Sequence, residues 1–191
     1  MKKTATRTTI IIVCLVAGLV GYYTYLSNRS KEMQDEATMT LVQSTLSRNL
    51  SIDYPATPKE LMKYYHDIMK CFYDEETTEK DIEDLALKAR ELYDRELLEE
   101  NPEEAYLSNL KSEIAEFRNK KRTISSFSVP NSTSVVTDTI DGYSFARIVC
   151  SFSVTEGGMT QRIRTAYLLR RDGNKRWKIY GWLPADELET E

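Results

Sequence analysis

The only histidine of the chain, His66, lies in a stretch that is rich in reactive side chains, TPKELMKYYHDIMKCFYDEE, residues 57–76. Two tyrosines precede it, Asp67 follows it, and Cys71 comes shortly afterwards. A histidine beside a carboxylate can act as a general base, and beside a cysteine it can activate a nucleophile. The spacing of the neighbouring apolar residues decides whether these side chains converge on a site.

The apolar residues of this stretch recur every three or four positions, which predicts an amphipathic helix. They fall within an arc of about 100° around the helix axis and are Leu61, Tyr65, Ile68, Met69 and Phe72. His66 lies roughly 115° from the centre of that arc, on the side of Lys63 and Asp67. A general base works in a water-poor pocket. We therefore predict that His66 is a surface or boundary residue and that the chain has no evident catalytic residue.

The sequence shows no metal site either. No Cys and His are spaced as metal ligands. The acidic runs Asp74–Glu76 and Glu99–Glu104 lack the D-x-D-x-D-G spacing of a calcium loop and are typical of solvated helix ends. We predict no metal and no cofactor. Cys71 and Cys150 leave two interpretations open, because they either form a disulfide or are two small buried residues.

The N-terminus carries the strongest signal. The segment IIIVCLVAGLVGYYTYL, residues 10–26, has no charged side chain. With its uncharged flanks it spans roughly 30 Å as a helix, the thickness of the hydrocarbon core of a bilayer. Lys2, Lys3 and Arg7 precede it and favour a cytoplasmic N-terminus. No small-x-small cleavage site follows, so we predict an uncleaved signal anchor and not a cleaved signal peptide.

This anchor divides the chain into regions. We predict a cytoplasmic tail at 1–8, a transmembrane helix at 9–27 that contacts the lipid bilayer, and a polar spacer at 28–56. An extracytoplasmic α+β domain follows at 57–185, with a short tail at 186–191. The protein is then a single-pass protein of the cell membrane, with its C-terminal domain outside.

Three main helices are predicted in the first half of this domain. Thr57 is predicted to cap the first helix, in a capping box with the glutamate three residues later. Thr78 begins the second helix in the same way. Asn101 is predicted to cap the third helix, with Pro102 as its first residue, and this helix runs to about Lys121.

After the third helix the apolar period changes from 3.6 to 2, which indicates β-strands. Asp141-Gly142 predicts a hairpin, and Gly157-Gly158 predicts the next turn. A three-residue loop at 172–174 would pair Leu169 with Trp177. Helices followed by an antiparallel meander predict an α+β fold, in which three main helices pack on one face of a curved antiparallel sheet.

This layout resembles the nuclear-transport-factor-2-like superfamily, in which three helices close a strongly curved sheet into a cone. The similar pieces are PKELMKYYHDIMKCFY, DGYSFARIVCSF and LLRRDGNKRWKIYGW, and the resemblance covers about residues 57–184. With its N-terminal anchor the chain also resembles an uncharacterised family of membrane-tethered Gram-positive proteins, which implies no known activity. Enzymes of the superfamily place an Asp or His inside the cone. This chain departs from that pattern, because no acid occupies a predicted core-facing position of its two long strands.

The distribution of charge bears on the partners of the domain. Residues 51–121 carry 11 Lys and Arg against 19 Asp and Glu, whereas residues 122–182 carry 9 against 4. The basic residues alternate along the predicted strands, and Arg162 and Arg164 form a candidate surface for a protein partner. We expect no binding of nucleic acid, because proteins that bind it combine a larger positive charge with stacking aromatic residues.

Four aromatic residues on predicted apolar faces carry a polar tip: Tyr65, Tyr106, Tyr167 and Trp177. They either line a pocket for a small apolar ligand or fill the core. The sequence favours a membrane-anchored extracytoplasmic binding or scaffolding domain without an evident catalytic site. The alternatives are an assembly subunit of a secretion or conjugation machine, and an enzyme with an acid in the cone pocket.

Overall fold

The computed structural model describes residues 39–74 and 76–189 of the chain. The chain divides into two compact units, Met1–Thr40 and Leu41–Glu191, and every element named below belongs to the second unit. The predicted transmembrane helix at 9–27, with the tail before it, lies outside the described residues. Within the described part of the chain, no helix is both long enough and apolar enough to cross a bilayer.

The described chain forms five helices and then five strands, so the predicted α+β class is confirmed. The helices are α1 (Leu41–Ser47), α2 (Pro58–Phe72), α3 (Glu79–Arg90), α4 (Arg95–Glu100) and α5 (Glu103–Asn119). The strands are β1 (Thr123–Ser128), β2 (Val136–Ile140), β3 (Tyr143–Glu156), β4 (Met159–Arg171) and β5 (Trp177–Pro184). Short 3₁₀ helices lie at Ser132–Ser134 and Ala185–Glu189.

Helix α2 begins where the sequence predicts. The side-chain hydroxyl of Thr57 accepts a hydrogen bond from the backbone N–H of Glu60 at 3.2 Å. The carboxylate of Glu60 in turn accepts from the N–H of Ala56 at 3.0 Å. The two bonds satisfy backbone donors on both sides of the cap, which fixes the first turn of the helix.

Helix α2 is covered around most of its circumference. The neighbouring helices α1 and α3 and the strand β3 pack against it. Beyond its first turn, the exposed residues form the narrow stripe that the sequence predicts, Lys63, Asp67 and Lys70. The buried residues cover the other sides and are Leu61, Met62, Tyr64, Tyr65, His66, Ile68, Cys71 and Phe72. Helix α2 is therefore a central helix of the core and not a one-sided surface helix.

The compact unit starts earlier than the sequence predicts, because part of the predicted spacer at 28–56 packs on the helices. Leu50 is 2% exposed. The hydroxyl of Tyr64 donates to the carbonyl of Thr45 at 2.8 Å, and the hydroxyl of Tyr54 donates to the carbonyl of Trp177 at 2.7 Å. The polar composition of this segment does not predict its packing, because only a few large side chains and backbone carbonyls make the contacts.

The predicted cap of the third main helix is wrong. Asn101 ends α4, because its side-chain amide donates to the carbonyl of Leu97 at 2.9 Å. Pro102 takes the cap position of α5 without a side-chain hydrogen bond. An asparagine side chain can donate a hydrogen bond to a carbonyl one turn earlier in the chain. Here that carbonyl belongs to the short helix α4, so the Asn101 side chain is not available to cap α5. The end of α5 at Asn119 lies close to the predicted end.

The strands form one curved antiparallel sheet in the order β1-β3-β4-β5, with β2 also paired to β3. Both predicted tight hairpins are confirmed. Asp141 and Gly142 join β2 to β3 with φ angles of 51° and 81°. Gly157 and Gly158 join β3 to β4 with φ angles of 57° and 83°. Positive φ at both central residues matches the right-handed twist of the strands and favours glycine, which has no Cβ to clash.

The predicted pairing of β4 with β5 is wrong. Leu169 pairs with Ile179, and Trp177 pairs with Arg171 at the end of β4. The side chain of Asp172 accepts hydrogen bonds from the N–H groups of the second and fourth residues after it, at 2.9 and 2.8 Å, which closes a wider loop than the predicted one. Because the register shifts by two residues, the apolar side chains stay on the predicted face.

Cys71 and Cys150 are both free thiols in the core. They are 1% and 0% exposed, and they belong to the cluster that joins α2 to the inner face of the sheet. Burial raises the pKa of Cys71 to about 11 and that of Cys150 to about 12. The sequence leaves two interpretations open, and the structure supports the second, in which the two cysteines are small buried residues.

Candidate ligand-binding site

A cavity of about 680 Å³ lies between the helices and the inner face of the sheet. It is bounded by the second half of α2, by α5, and by β1, β3 and β4 near the β3–β4 hairpin. Side chains alternate along each strand, and β3 and β4 pair in register, so one face of the two strands turns its apolar residues to this cavity. The alternation in the sequence predicts that face.

The lining of the cavity is mostly apolar and aromatic. The helices contribute Met69, Tyr73 and Phe117. Phe127 and Phe152 pair across β1 and β3, with ring centroids 5.9 Å apart. The strands contribute Ile124, Phe127, Phe152, Val154, Met159, Ile163 and Tyr167. Apolar walls of this size with few polar groups are typical of sites for small molecules.

His66 also lines the cavity, and its predicted position at the surface is wrong. The residue is 3% exposed. Its ring stacks on that of Phe127 with centroids 4.7 Å apart, and it meets the ring of Tyr167 edge-on at 6.0 Å. The prediction failed because the arc of apolar residues assigns a single buried face to a helix. Here residues of β1 and β4 cover a second face of α2.

The imidazole of His66 is buried without polar partners. Neither ring nitrogen has a hydrogen bond to the described residues, and both are shielded from solvent. Burial lowers the pKa of His66 from 6.5 to about 4, so the ring is neutral at neutral pH. A neutral imidazole offers one N–H donor and one acceptor nitrogen. Each unpaired group costs about 1–3 kcal/mol, and a polar ligand group that reaches the ring after a side-chain movement would recover part of that cost.

Three charged residues border the cavity. Arg122 donates from Nε to Oε2 of Glu156 at 2.6 Å, which ties the start of β1 to the end of β3. Glu113 of α5 accepts a short hydrogen bond from the hydroxyl of Tyr73, at the end of α2. Burial raises the pKa of Tyr73 most, and this hydrogen bond to Glu113 raises it further. The hydroxyl therefore stays protonated and remains a donor.

The four aromatic residues predicted as pocket lining lie in different places. Tyr167 lines the cavity. The hydroxyl of Tyr65 lies 3.2 Å from that of Tyr93, which lies 3.3 Å from that of Tyr106. Trp177 begins β5, at the end of the sheet away from the β3–β4 hairpin. Tyr65, Tyr106 and Trp177 are thus outside the lining, and the tyrosine hydroxyls find partners within the fold, as buried tyrosines usually do.

The predicted partner-facing residues, Arg162 and Arg164, are exposed on β4. Arg162 donates to the hydroxyl of Ser151 at 2.9 Å. Arg164 lies 3.9 Å from the carboxylate of Asp186. The two arginines border a depression of about 480 Å³ on the other face of the sheet from the cavity. The structure brings them together at one surface, apart from the aromatic residues.

Two further basic residues of the sheet, Arg170 and Lys178, are bound by the helical half of the domain. Arg170 donates to Asp94 at 3.0 Å and to Glu96 at 2.8 Å. The side chains of Arg170 and Asp94 are only 12% and 5% exposed. Lys178 donates to the carbonyl of Glu91 at 2.6 Å. At Arg170, the opposite charges of the two halves of the sequence therefore meet inside the domain.

Sequence reasoning missed Glu113 and Arg122 as residues of the cavity. A signal for Glu113 exists, since it lies four residues before Phe117 on α5 and so shares its side of the helix. Arg122 gives no such signal, because it lies at the junction of α5 with β1. The direction of its side chain depends on how the two elements meet.

The comparison with protein families gives a match to nearly the whole chain. The model of the family described as "Domain of unknown function (DUF6715)" matches residues 1–182. The chain belongs to this family. The match includes the predicted anchor at 9–27 and all the residues that line the cavity. A search of curated proteins finds no match.

Proposed function

We propose that the protein is a membrane-anchored, extracytoplasmic binding domain that holds a small, largely apolar molecule in the cavity between α2, α5 and the sheet. The observation that carries the proposal is the cavity itself, about 680 Å³ and lined mainly by apolar and aromatic side chains. Sites for small molecules typically have volumes of about 300–1,000 Å³. A packed core leaves few voids larger than a water molecule, so this space is too large for a packing defect.

The chemistry of the lining favours binding over catalysis. The neutral imidazole of His66 is shielded from solvent and has no carboxylate to orient it among its described neighbours. Two carboxylates border the cavity: Glu156 is paired with Arg122, and Glu113 accepts a hydrogen bond from Tyr73. The buried carboxylate of Asp94 does not line it. A general base needs both access to the substrate and an orienting partner. The polar groups of the lining are better suited to orienting a bound molecule.

We further propose that the domain is a member of the nuclear-transport-factor-2-like superfamily and that its cavity is the interior of the cone. Three main helices on one face of a curved antiparallel sheet support this, together with a cavity on the helix-covered face. The anchor at 9–27 would hold this domain at the outer face of the membrane, as the uncharged segment and the basic residues before it suggest.

Photo-crosslinking of the full-length protein in nanodiscs of zwitterionic lipid tests the proposal. The probe is a neutral long-chain alcohol with a diazirine in its chain, and the labelled peptides are mapped by mass spectrometry. We expect labels on the peptides that contain Ile124–Phe127 and Phe152–Met159. Mapping separates these labels from those on the proposed membrane segment.

A matched pair of variants makes the test specific. The double variant Val154→Trp, Ile163→Trp narrows the cavity and should lower labelling of its peptides about tenfold, a loss of roughly 1.4 kcal/mol in affinity. The control is Val136→Trp, Ile140→Trp on β2, where both side chains are more than half exposed, at 55% and 52%. Equal labelling of the cavity peptides in both double variants would rule out the proposed site.

A further inference from the structure

The charges at the cavity leave one carboxylate without a cation. Arg122 and Glu156 neutralise each other at 2.6 Å. Glu113 forms no ion pair with the described residues, and Tyr73 donates to one of its oxygens. The second oxygen accepts no hydrogen bond from the part of the chain that the structure describes. Glu113 is exposed at the edge of the apolar cavity, and its negative charge has no cationic partner among the described residues.

The aromatic rings beside Glu113 attract positive charge, as its carboxylate does. The rings of Tyr73 and Phe117 lie with their centroids 4.3 Å apart, and both residues line the cavity with Glu113. The face of an aromatic ring carries negative potential and attracts a cation within about 6 Å of its centroid. The carboxylate and the rings together favour a positively charged group at this edge of the cavity.

We infer that the cavity takes a cationic amphiphile, whose apolar chain lies along the lining and whose protonated amine or quaternary ammonium group lies against Glu113, Tyr73 and Phe117. This inference rests on the proposed function, since it assigns the charge of the ligand that the same cavity binds. An anionic head group is disfavoured. Among the described lining residues the single guanidinium is that of Arg122, and Glu156 already holds it.

Three probes with the same alkyl chain and the same diazirine test the charge of the ligand. Their head groups are a hydroxyl, a trimethylammonium and a carboxylate. With the full-length protein in zwitterionic nanodiscs, we expect the ammonium probe to label the cavity peptides most strongly and the carboxylate probe least. Glu113→Gln should lower labelling by the ammonium probe about fivefold, the size expected for one partly exposed ion pair. Labelling by the hydroxyl probe should not change.

Two further variants complete this test. In the Glu113→Lys variant, the carboxylate probe should label the cavity peptides more strongly than the ammonium probe does. Glu104→Gln, an exposed position on the same helix and outside the lining, should leave all three probes unchanged. If the hydroxyl probe labels the cavity but Glu113→Gln does not weaken the ammonium probe, the inference is overturned while the proposed function stands. If none of the three probes labels the cavity peptides, the proposed function itself fails.

Discussion

His66 is a residue whose position costs stability. Its ring is 3% exposed, and neither nitrogen has a hydrogen-bond partner among the described residues. A phenyl ring would make the same stacking contact with Phe127 without two unpaired polar groups. Buried polar groups without partners are uncommon and often occur where a side chain serves a purpose other than packing. In the proposed function, that purpose is contact with the bound molecule.

The pKa of His66 makes stability depend on pH. In the unfolded chain the imidazole takes up a proton near its ordinary pKa of 6.5, whereas in the folded protein burial lowers the pKa to about 4. Between these values the unfolded state binds more protons, so stability falls as the pH falls. We expect a loss of about 3 kcal/mol between pH 6.5 and 4 from this residue alone. Urea unfolding across this range measures it.

The variant His66→Phe separates this effect from the titration of carboxylates. His66 is the only histidine of the chain, so the variant has no other imidazole to protonate. We expect it to be about 1 kcal/mol more stable than the wild type at pH 7, because it removes unpaired buried groups. The gap should widen as the pH falls to 4. Parallel stability curves for the two proteins would show that His66 is not buried as a neutral ring.

At the scale of elements, the segment from α1 to α2 is part of the fold and not a tether. Leu50 is 2% exposed, whereas Ile52, two residues later, is 85% exposed. We expect Leu50→Ala to lower the free energy of unfolding by about 3 kcal/mol, as truncation of a buried side chain does. Ile52→Ala should change it by less than about 0.5 kcal/mol. Denaturant unfolding of the two variants measures both values. Equal small losses would show that the chain up to residue 56 is a spacer, as the sequence predicts.

Local signals in the sequence predicted the elements well. Thr57 and Thr78 cap their helices through the side-chain bonds that the capping-box spacing indicates. The turns at 141–142 and 157–158 join the strands that the alternation predicts. Such signals depend on contacts within about five residues, so the sequence contains everything that they require.

Two errors are local, the cap at Asn101 and the loop that sets the pairing of β4 with β5, and the errors about burial concern contacts between distant parts of the chain. The burial of His66 depends on β1 and β4, and the burial of Leu50 depends on the helices around it. The cavity could not be predicted for the same reason. Alternation along β3 and β4 shows which residues face inward, but the distance between α5 and the sheet decides whether their side chains meet or leave space.

At the scale of the whole molecule, the proposed topology rests on the segment at 9–27 and is open to a direct test. We expect a reporter that is active only outside the cytoplasm to give a signal when fused after Glu191, because the basic residues before the segment favour a cytoplasmic N-terminus. The fusion should also stay in the membrane fraction. Deletion of residues 9–27 should abolish the reporter signal. A processed, soluble form of the fusion would indicate a cleaved signal peptide.

The coverage of α2 has a consequence for how a ligand would be sensed. We expect a helix that is enclosed by α1, α3 and the sheet to exchange its amide hydrogens slowly, because they meet water only when the domain opens globally. The strand β1, which contributes Ile124 and Phe127 to the lining, lies at the edge of the sheet and is largely exposed. We therefore expect β1 to open locally and α2 to open only with the whole domain. Occupancy of the cavity would be reported by slower exchange in β1, while α2 exchanges slowly whether or not a molecule is bound.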